Sequence, residues 1–126
     1  LITSVPGSSD YFLGSIIPYS YEMKESALGV KNETLNTYGA VSEETITEMA
    51  ENVCRLTGAS IGVATSGIAG PGGATPDKPV GTIWIAVSDA NGTEAKKYIF
   101  MKERKINIQL GAIAALNMVR SRLVEE

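Results

Sequence analysis

The residue pattern predicts an α/β domain of three layers, with helices on both faces of a mixed, mostly parallel sheet. Three observations carry that reading. Ile61 to Thr65 and Thr82 to Val87 are apolar on consecutive residues, the mark of strands covered on both faces. A helix precedes the first of them, with Ile46, Met49, Ala50, Val53 and Cys54 at helical spacing. An earlier run, YFLGSIIPYS, reads as a strand over about Leu13 to Ile17, so strand, helix and strand make a parallel unit with a right-handed crossover.

Each element has a local cause. Pro6-Gly7 makes a turn, and the Ser8 and Ser9 hydroxyls after it are of the kind that bond nearby backbone. Pro18 stops the first strand. YEMKESALGV then reads as a short helix with Ser20 as N-cap and Gly29 as terminator. Tyr19 and Lys24 flank this junction, either as a rim aromatic and a solvated charge or as two groups reaching the crevice beyond a strand end, where open α/β sheets bind ligands. KNETLNTYGA is polar and reads as a loop with one helical turn after Asn32. Ser42 caps the crossover helix, Glu43 and Glu44 suit the positive end of its dipole, and Gly58 ends it. Glu48 and Glu51 read as its solvated face.

Beyond Val87, Asn91-Gly92 is a hairpin dipeptide that returns Glu94 to Phe100 antiparallel and makes the sheet mixed. Trp84 reads as a core or interface side chain. The final helix spans about Glu103 to Val124, with Ile108, Ala112, Ala115, Leu116, Val119 and Leu123 as its apolar stripe. Arg104 at its start opposes the helix dipole, a disadvantage that favours a ligand role for the guanidinium.

The stretch between the two apolar strands carries the chemistry. ATSGIAGPGGATPDKPVGTIWIAV sets Gly67, Gly70, Gly72, Gly73 and Gly81 among Pro71, Pro76 and Pro79. Glycines admit positive φ and the close approach of a ligand to bare N–H groups, and prolines hold the loop in place. Such a loop is either a long surface connection or a backbone cradle for a phosphate, a carboxylate or a developing oxyanion. No Lys-Ser or Lys-Thr follows the glycines and the GxGxxG spacing is absent, which excludes a Walker loop and a dinucleotide turn. Ser66 and Gly67 sit at the mouth of the crevice.

Composition bounds the rest. The 126 residues are 44% hydrophobic, enough for one globular domain spanning 1–126. A net charge of -3 without a basic cluster argues against a nucleic-acid partner. Cys54, the single cysteine, makes no internal disulfide and reads as a small buried hydrophobe. No apolar run approaches the roughly 18 residues of a membrane span, so a cytoplasmic protein without membrane association is expected. The chain has no histidine for acid-base chemistry or metal binding.

Three ordered motifs, VPGSSDYFLGSIIPYSYEMKESALGV, GAVSEET and GIAGPGGATPDKPVGTIWIAV, closely resemble the C-terminal domain of the CinA competence/damage-inducible proteins, the family of the nicotinamide mononucleotide deamidase PncC. The likeness covers nearly the whole chain. It implies the family's anticodon-binding-domain-like fold and amidohydrolysis of a pyridine nucleotide, with no cofactor, no metal and a homo-oligomeric assembly. By the same resemblance Lys24 would activate the nucleophile and Tyr19 would relay a proton, as in the family pattern YSNxxK, from which Tyr21 departs. Ser9, Ser66 and Gly67 would contact substrate, with Ser66 in place of the family's usual threonine, and Arg104 would meet the phosphate. Family members begin earlier, with a strand running into an ESCTGG-type loop whose serine is the proposed nucleophile. Leu1 to Ser4 accordingly reads as the end of a preceding helix. The family's extra strand belongs mid-sheet, so its absence is expected to leave strand edges unpaired or closing on each other.

Overall fold

A computed structural model describes residues 1–124. After two short 3₁₀ turns at Ile2–Ser4 and Ser8–Asp10, the order is α1 (Tyr21–Ser26), α2 (Asn32–Tyr38), α3 (Glu43–Thr57), β1 (Gly62–Gly67), β2 (Thr82–Asp89), β3 (Gly92–Ile99) and α4 (Arg104–Val124). The three layers are present: α3 lies on one face of the sheet and α4 on the other. The sheet itself corrects the expectation. It is antiparallel throughout, in the order β1-β2-β3.

The reason lies in the run that reads as the first strand. Residues 13–17 form no regular secondary structure and join no ladder, with Leu13 and Ile17 exposed at 64% and 82%. Only Ile16 of that run packs against the core. The βαβ unit therefore lacks its first strand, and β1 pairs with β2, to which residues 68–81 return the chain. β1 is then an edge strand, covered on both faces at its start, where Val63 packs on the α4 side and Ala64 on the α3 side, and exposed at Thr65 and Gly67. Among the described residues its outer edge carries no strand.

β2 is the doubly covered strand. Ile83, Ile85 and Val87 point into a cluster with Ala115 and Met118 of α4. Ala86, with Trp84 partly buried beside it, joins Leu28, Val30, Leu35, Ile46, Met49 and Ala50 on the α3 side. Side chains alternate across a strand, so one buried strand feeds both layers. Each such fully buried aliphatic contributes about 1.5–3 kcal/mol.

The caps follow the sequence. Ser20 Oγ accepts from the Met23 amide, and Ser42 Oγ accepts from the Thr45 amide at 3.2 Å. Gly58 closes α3 at φ +77. The supposed single turn after Asn32 is a helix of seven residues. Its start is held from outside, because Glu48 accepts from the Lys31 amide and the Thr34 hydroxyl. Glu51 likewise accepts from Thr93 Oγ1 on β3. Neither glutamate is merely solvated. In the hairpin, Asp89 faces Gly92, so Ala90 and Asn91 form the turn, one residue earlier than the dipeptide suggests.

α4 is rotated from the expected stripe. Asn107, Gly111, Ala115 and Met118 are its buried residues, whereas Ile108 and Leu123 are 55% and 62% exposed. Gly111 explains the rotation: a Cβ there would come within 3.2 Å of Ile83 Cδ1, so its absence lets the helix lie close on β2. No helix of the described residues is long and apolar enough to cross a membrane.

Gly62 marks the closest approach of α3 to the sheet. A Cβ would sit 2.7 Å from the Ala50 carbonyl oxygen and from Cys54 Sγ. Gly62→Ala is expected to cost about 1–3 kcal/mol by overpacking. Gly72→Ala, where a Cβ meets nothing within 4 Å, is expected to range from neutral to about 1 kcal/mol stabilising. Urea denaturation midpoints of the two variants check the contrast.

Candidate functional site

Lys24 stands apart from every other lysine by burial. It is 7% exposed, and its Nζ donates to the carbonyl oxygens of Pro18 at 2.9 Å and Tyr19 at 3.4 Å. The path is set by α1: Ser20 starts the helix, Lys24 comes one turn later, and its side chain folds back over the residues before the cap. Burial pushes the amine below its usual value, because desolvation penalises the charged form and no carboxylate compensates for it. Tyr19 meets Lys24 through its backbone only. Its side chain is turned out, with the residue 84% exposed.

Ser66 and Gly67 end β1. Ser66 pairs with Trp84 and Gly67 with Ile83. A Cβ on Gly67 would lie 2.6 Å from Ile83 Cγ1 and 2.9 Å from the Thr82 carbonyl oxygen, so glycine lets the strand end sit against β2. The loop after them is closed at its base, since the Ile68 amide donates to Thr82 O and the Gly81 amide to Ile68 O. Gly70 and Pro71 are joined by a cis peptide. Arg104 Nη1 donates to the Gly70 carbonyl oxygen at 2.9 Å, which brings the predicted arginine onto the predicted loop. Ser9 is exposed on the second 3₁₀ turn and makes no side-chain hydrogen bond among the described residues.

The structure thus gathers the expected residues into two groups. Ser66, Gly67 and Arg104 are joined through the loop, and Lys24 is joined to Tyr19. Both groups are tied to the α2–α3 junction. Tyr21 Oη accepts from the Ala40 amide, and Lys78 Nζ donates to the Tyr38 carbonyl oxygen. Beside that junction an open cleft of about 500 Å³ is lined by Ser42, Glu43, Lys78, Thr82, Trp84 and Lys97.

Sequence reasoning missed Asn107 and Lys78. Asn107 is fully buried. Its Nδ2 donates to the carbonyl oxygens of Ala69 and Met101, and its Oδ1 accepts from the Met101 amide. The signal was a polar residue set directly between Ile106 and Ile108, on the helix face that carries Gly111 and Ala115. Cys54 is partly buried, and burial, then Asp89 and Glu51, push its thiol up, away from a reactive thiolate.

An antiparallel three-stranded sheet between two helical layers, with a clamped Gly-Pro loop at one strand end and a buried lysine, defines a three-layer α/β/α domain. The profile of the CinA C-terminal domain matches residues 1–123, and the chain belongs to that family. A CinA-like protein of Amoebophilus asiaticus is 52% identical over 123 residues, covering 98% of this chain and 30% of its own length. That of Cytophaga hutchinsonii is 50% identical over 125 residues, covering 99% and 30%. The chain therefore spans about a third of the length of these curated relatives. Among solved structures, the competence/damage inducible protein CihA of Agrobacterium tumefaciens superposes with a TM-score of 0.92 at 34% identity, covering 94% of this chain and 73% of that one. The competence damage-inducible protein A of Klebsiella pneumoniae gives 0.93 at 30% identity, covering 98% and 77%.

The Lys24 environment has a consequence for stability. With its folded pKa depressed below 10.5, the unfolded chain binds more protons between that value and 10.5, so stability rises with pH across the window. The cost of the buried cation is fully present below the window. Relative to Lys24→Met, the wild-type urea midpoint is expected to climb as pH is raised toward 10.5. A pH-independent difference would show an amine of ordinary basicity.

Proposed function

We propose that this domain serves the hydrolysis of a nicotinamide mononucleotide-like amide to the acid and ammonia, within a family that includes nicotinamide mononucleotide deamidases. The single observation that carries the reading is the buried Lys24 amine, held by two carbonyls and without a counter-ion. Such an amine is a stronger candidate for a general base at neutral pH than a solvated lysine.

Amide hydrolysis needs a nucleophile, a base that activates it, and donors for the oxyanion. On this reading Lys24 is the base, Tyr19 relays a proton by swinging its exposed ring inward, and Ser9, Ser66 and Gly67 contact substrate. Arg104 keeps Nη1 on the Gly70 carbonyl and offers its remaining donors to the phosphate, as a guanidinium fork can. The nucleophile would be the serine of the family's ESCTGG-type loop. Residues 1–126 contain no stretch like it.

A second reading, a nucleotide-binding domain without turnover, is favoured by a specific observation. Ser66, Gly67 and Arg104 are gathered on the Gly-Pro loop, a group that holds together without Lys24. Ammonia release from nicotinamide mononucleotide separates the two. With a polypeptide carrying this domain together with the serine loop, Lys24→Ala is expected to lower turnover about 10²–10⁴-fold, the range of a lost general base. Unchanged turnover would remove Lys24 from the chemistry, and binding without any ammonia would leave the second reading.

A further inference from the structure

The first turn of α4 holds the Gly-Pro loop by two side chains one helical turn apart. Asn107 Nδ2 donates to Ala69 O at 3.0 Å, and Arg104 Nη1 donates to the next carbonyl, Gly70 O, at 2.9 Å. The same Asn107 amide spans Met101, accepting from its N–H at 2.9 Å and donating to its C=O at 3.0 Å. Its donors and its acceptor are all engaged, and no buried side-chain polar atom of the described residues lacks a partner. Gly81 is packed into the same corner, where a Cβ would collide with the Met101 carbonyl oxygen.

We infer that Asn107 is a positioning residue of the candidate site. It fixes Ala69 and Gly70 against α4, and so fixes where Arg104 presents its guanidinium to an anion. The inference rests on the reading of this loop and Arg104 as the substrate-holding elements. A buried amide with a complete set of partners fixes one geometry, because any shift of the loop strands a polar group away from water. Arg104 is exposed and long, with many rotamers of its own. The restraint on it comes through Gly70, and Gly70 is held beside the Asn107–Ala69 bond.

Asn107→Asp tests this, because it keeps the acceptor for the Met101 amide and removes both donors. Asn107→Ser serves as the second variant should the buried acid prevent folding. Amide hydrogen exchange is read along the chain, together with rotation of the Arg104 guanidinium by ¹⁵N NMR and the affinity for nicotinamide mononucleotide. The expected result is exchange at Ile68 and Gly81, the amides that close the base of the loop, at least about tenfold faster, a freed guanidinium and about tenfold weaker binding, with the central β2 and β3 amides unchanged. Exchange that rises uniformly, or a loop and guanidinium that do not respond, would overturn the positioning role and leave Asn107 a general stability residue. Should the parent protein not bind nicotinamide mononucleotide while the loop and guanidinium respond as expected, the positioning role stands and the deamidase reading falls.

Discussion

Burial of β2 on both faces is the constraint from which the rest of the domain follows. Ile85, Ala86 and Val87 are consecutive and wholly inaccessible. A strand of that kind needs a layer on each side, and the chain supplies α3 for one and α4 for the other. The two layers meet the sheet by different means. On the α3 side, Ile46, Met49 and Ala50 fill the gap with aliphatic volume, and Gly62 lets the helix approach the edge strand. On the α4 side, Gly111 and Ala115 bring the backbone close, and Met118 fills the remainder.

That close approach of α4 sets where its first turn falls, and there the buried face turns polar. Asn107 would be costly in an apolar interface without partners. It is tolerated because the loop and Met101 carry backbone groups that would otherwise be buried unpaired. Stability and site geometry are therefore linked at one residue. At the opposite end of the sheet Asp89 and Arg122 pair at 2.7 Å, tying the β2–β3 turn to the last turn of α4. The hydrogen bond from Arg122, with that from the Asn91 amide, holds the Asp89 carboxyl below its usual range.

What was legible in the sequence was local. Ser20, Ser42, Gly29 and Gly58 announced helix ends through capping chemistry, and the apolar density of 82–87 announced a strand covered on both faces. The nature of the sheet was not legible. The run at 13–17 has strand composition, yet strand composition does not say whether a run will join a ladder, and among the described residues this one joins none. The α4 stripe misled for a related reason: the helix is apolar on much of its circumference, so periodicity could not choose which side faces β2, and Gly111 decided it. Ser66, Gly67 and Arg104 stood out one by one through glycine chemistry and helix electrostatics, and the structure brings them to one loop. Asn107 escaped, since its role exists only where the loop comes back against the helix.

Lys24 was flagged by spacing and by family likeness, but its chemistry depends on two carbonyls that spacing does not reveal. A neutral amine carries two N–H donors and one lone pair. Pro18 O and Tyr19 O take the two donors, which leaves the lone pair as the free position of the nitrogen. The protonated form instead has a third N–H with no acceptor among the described residues, in a place where burial already disfavours the charge. The two carbonyls favour the cation and burial opposes it; on the deamidase reading the same two contacts, kept by the neutral amine, would aim its lone pair for proton abstraction. A hydroxyl brought to that free position would complete the bonding of the amine and lose its own proton in the same contact. On the deamidase reading, burial without an acidic partner is what would fit this lysine for base chemistry, and the backbone turn at Pro18-Tyr19 would set where its nitrogen lies.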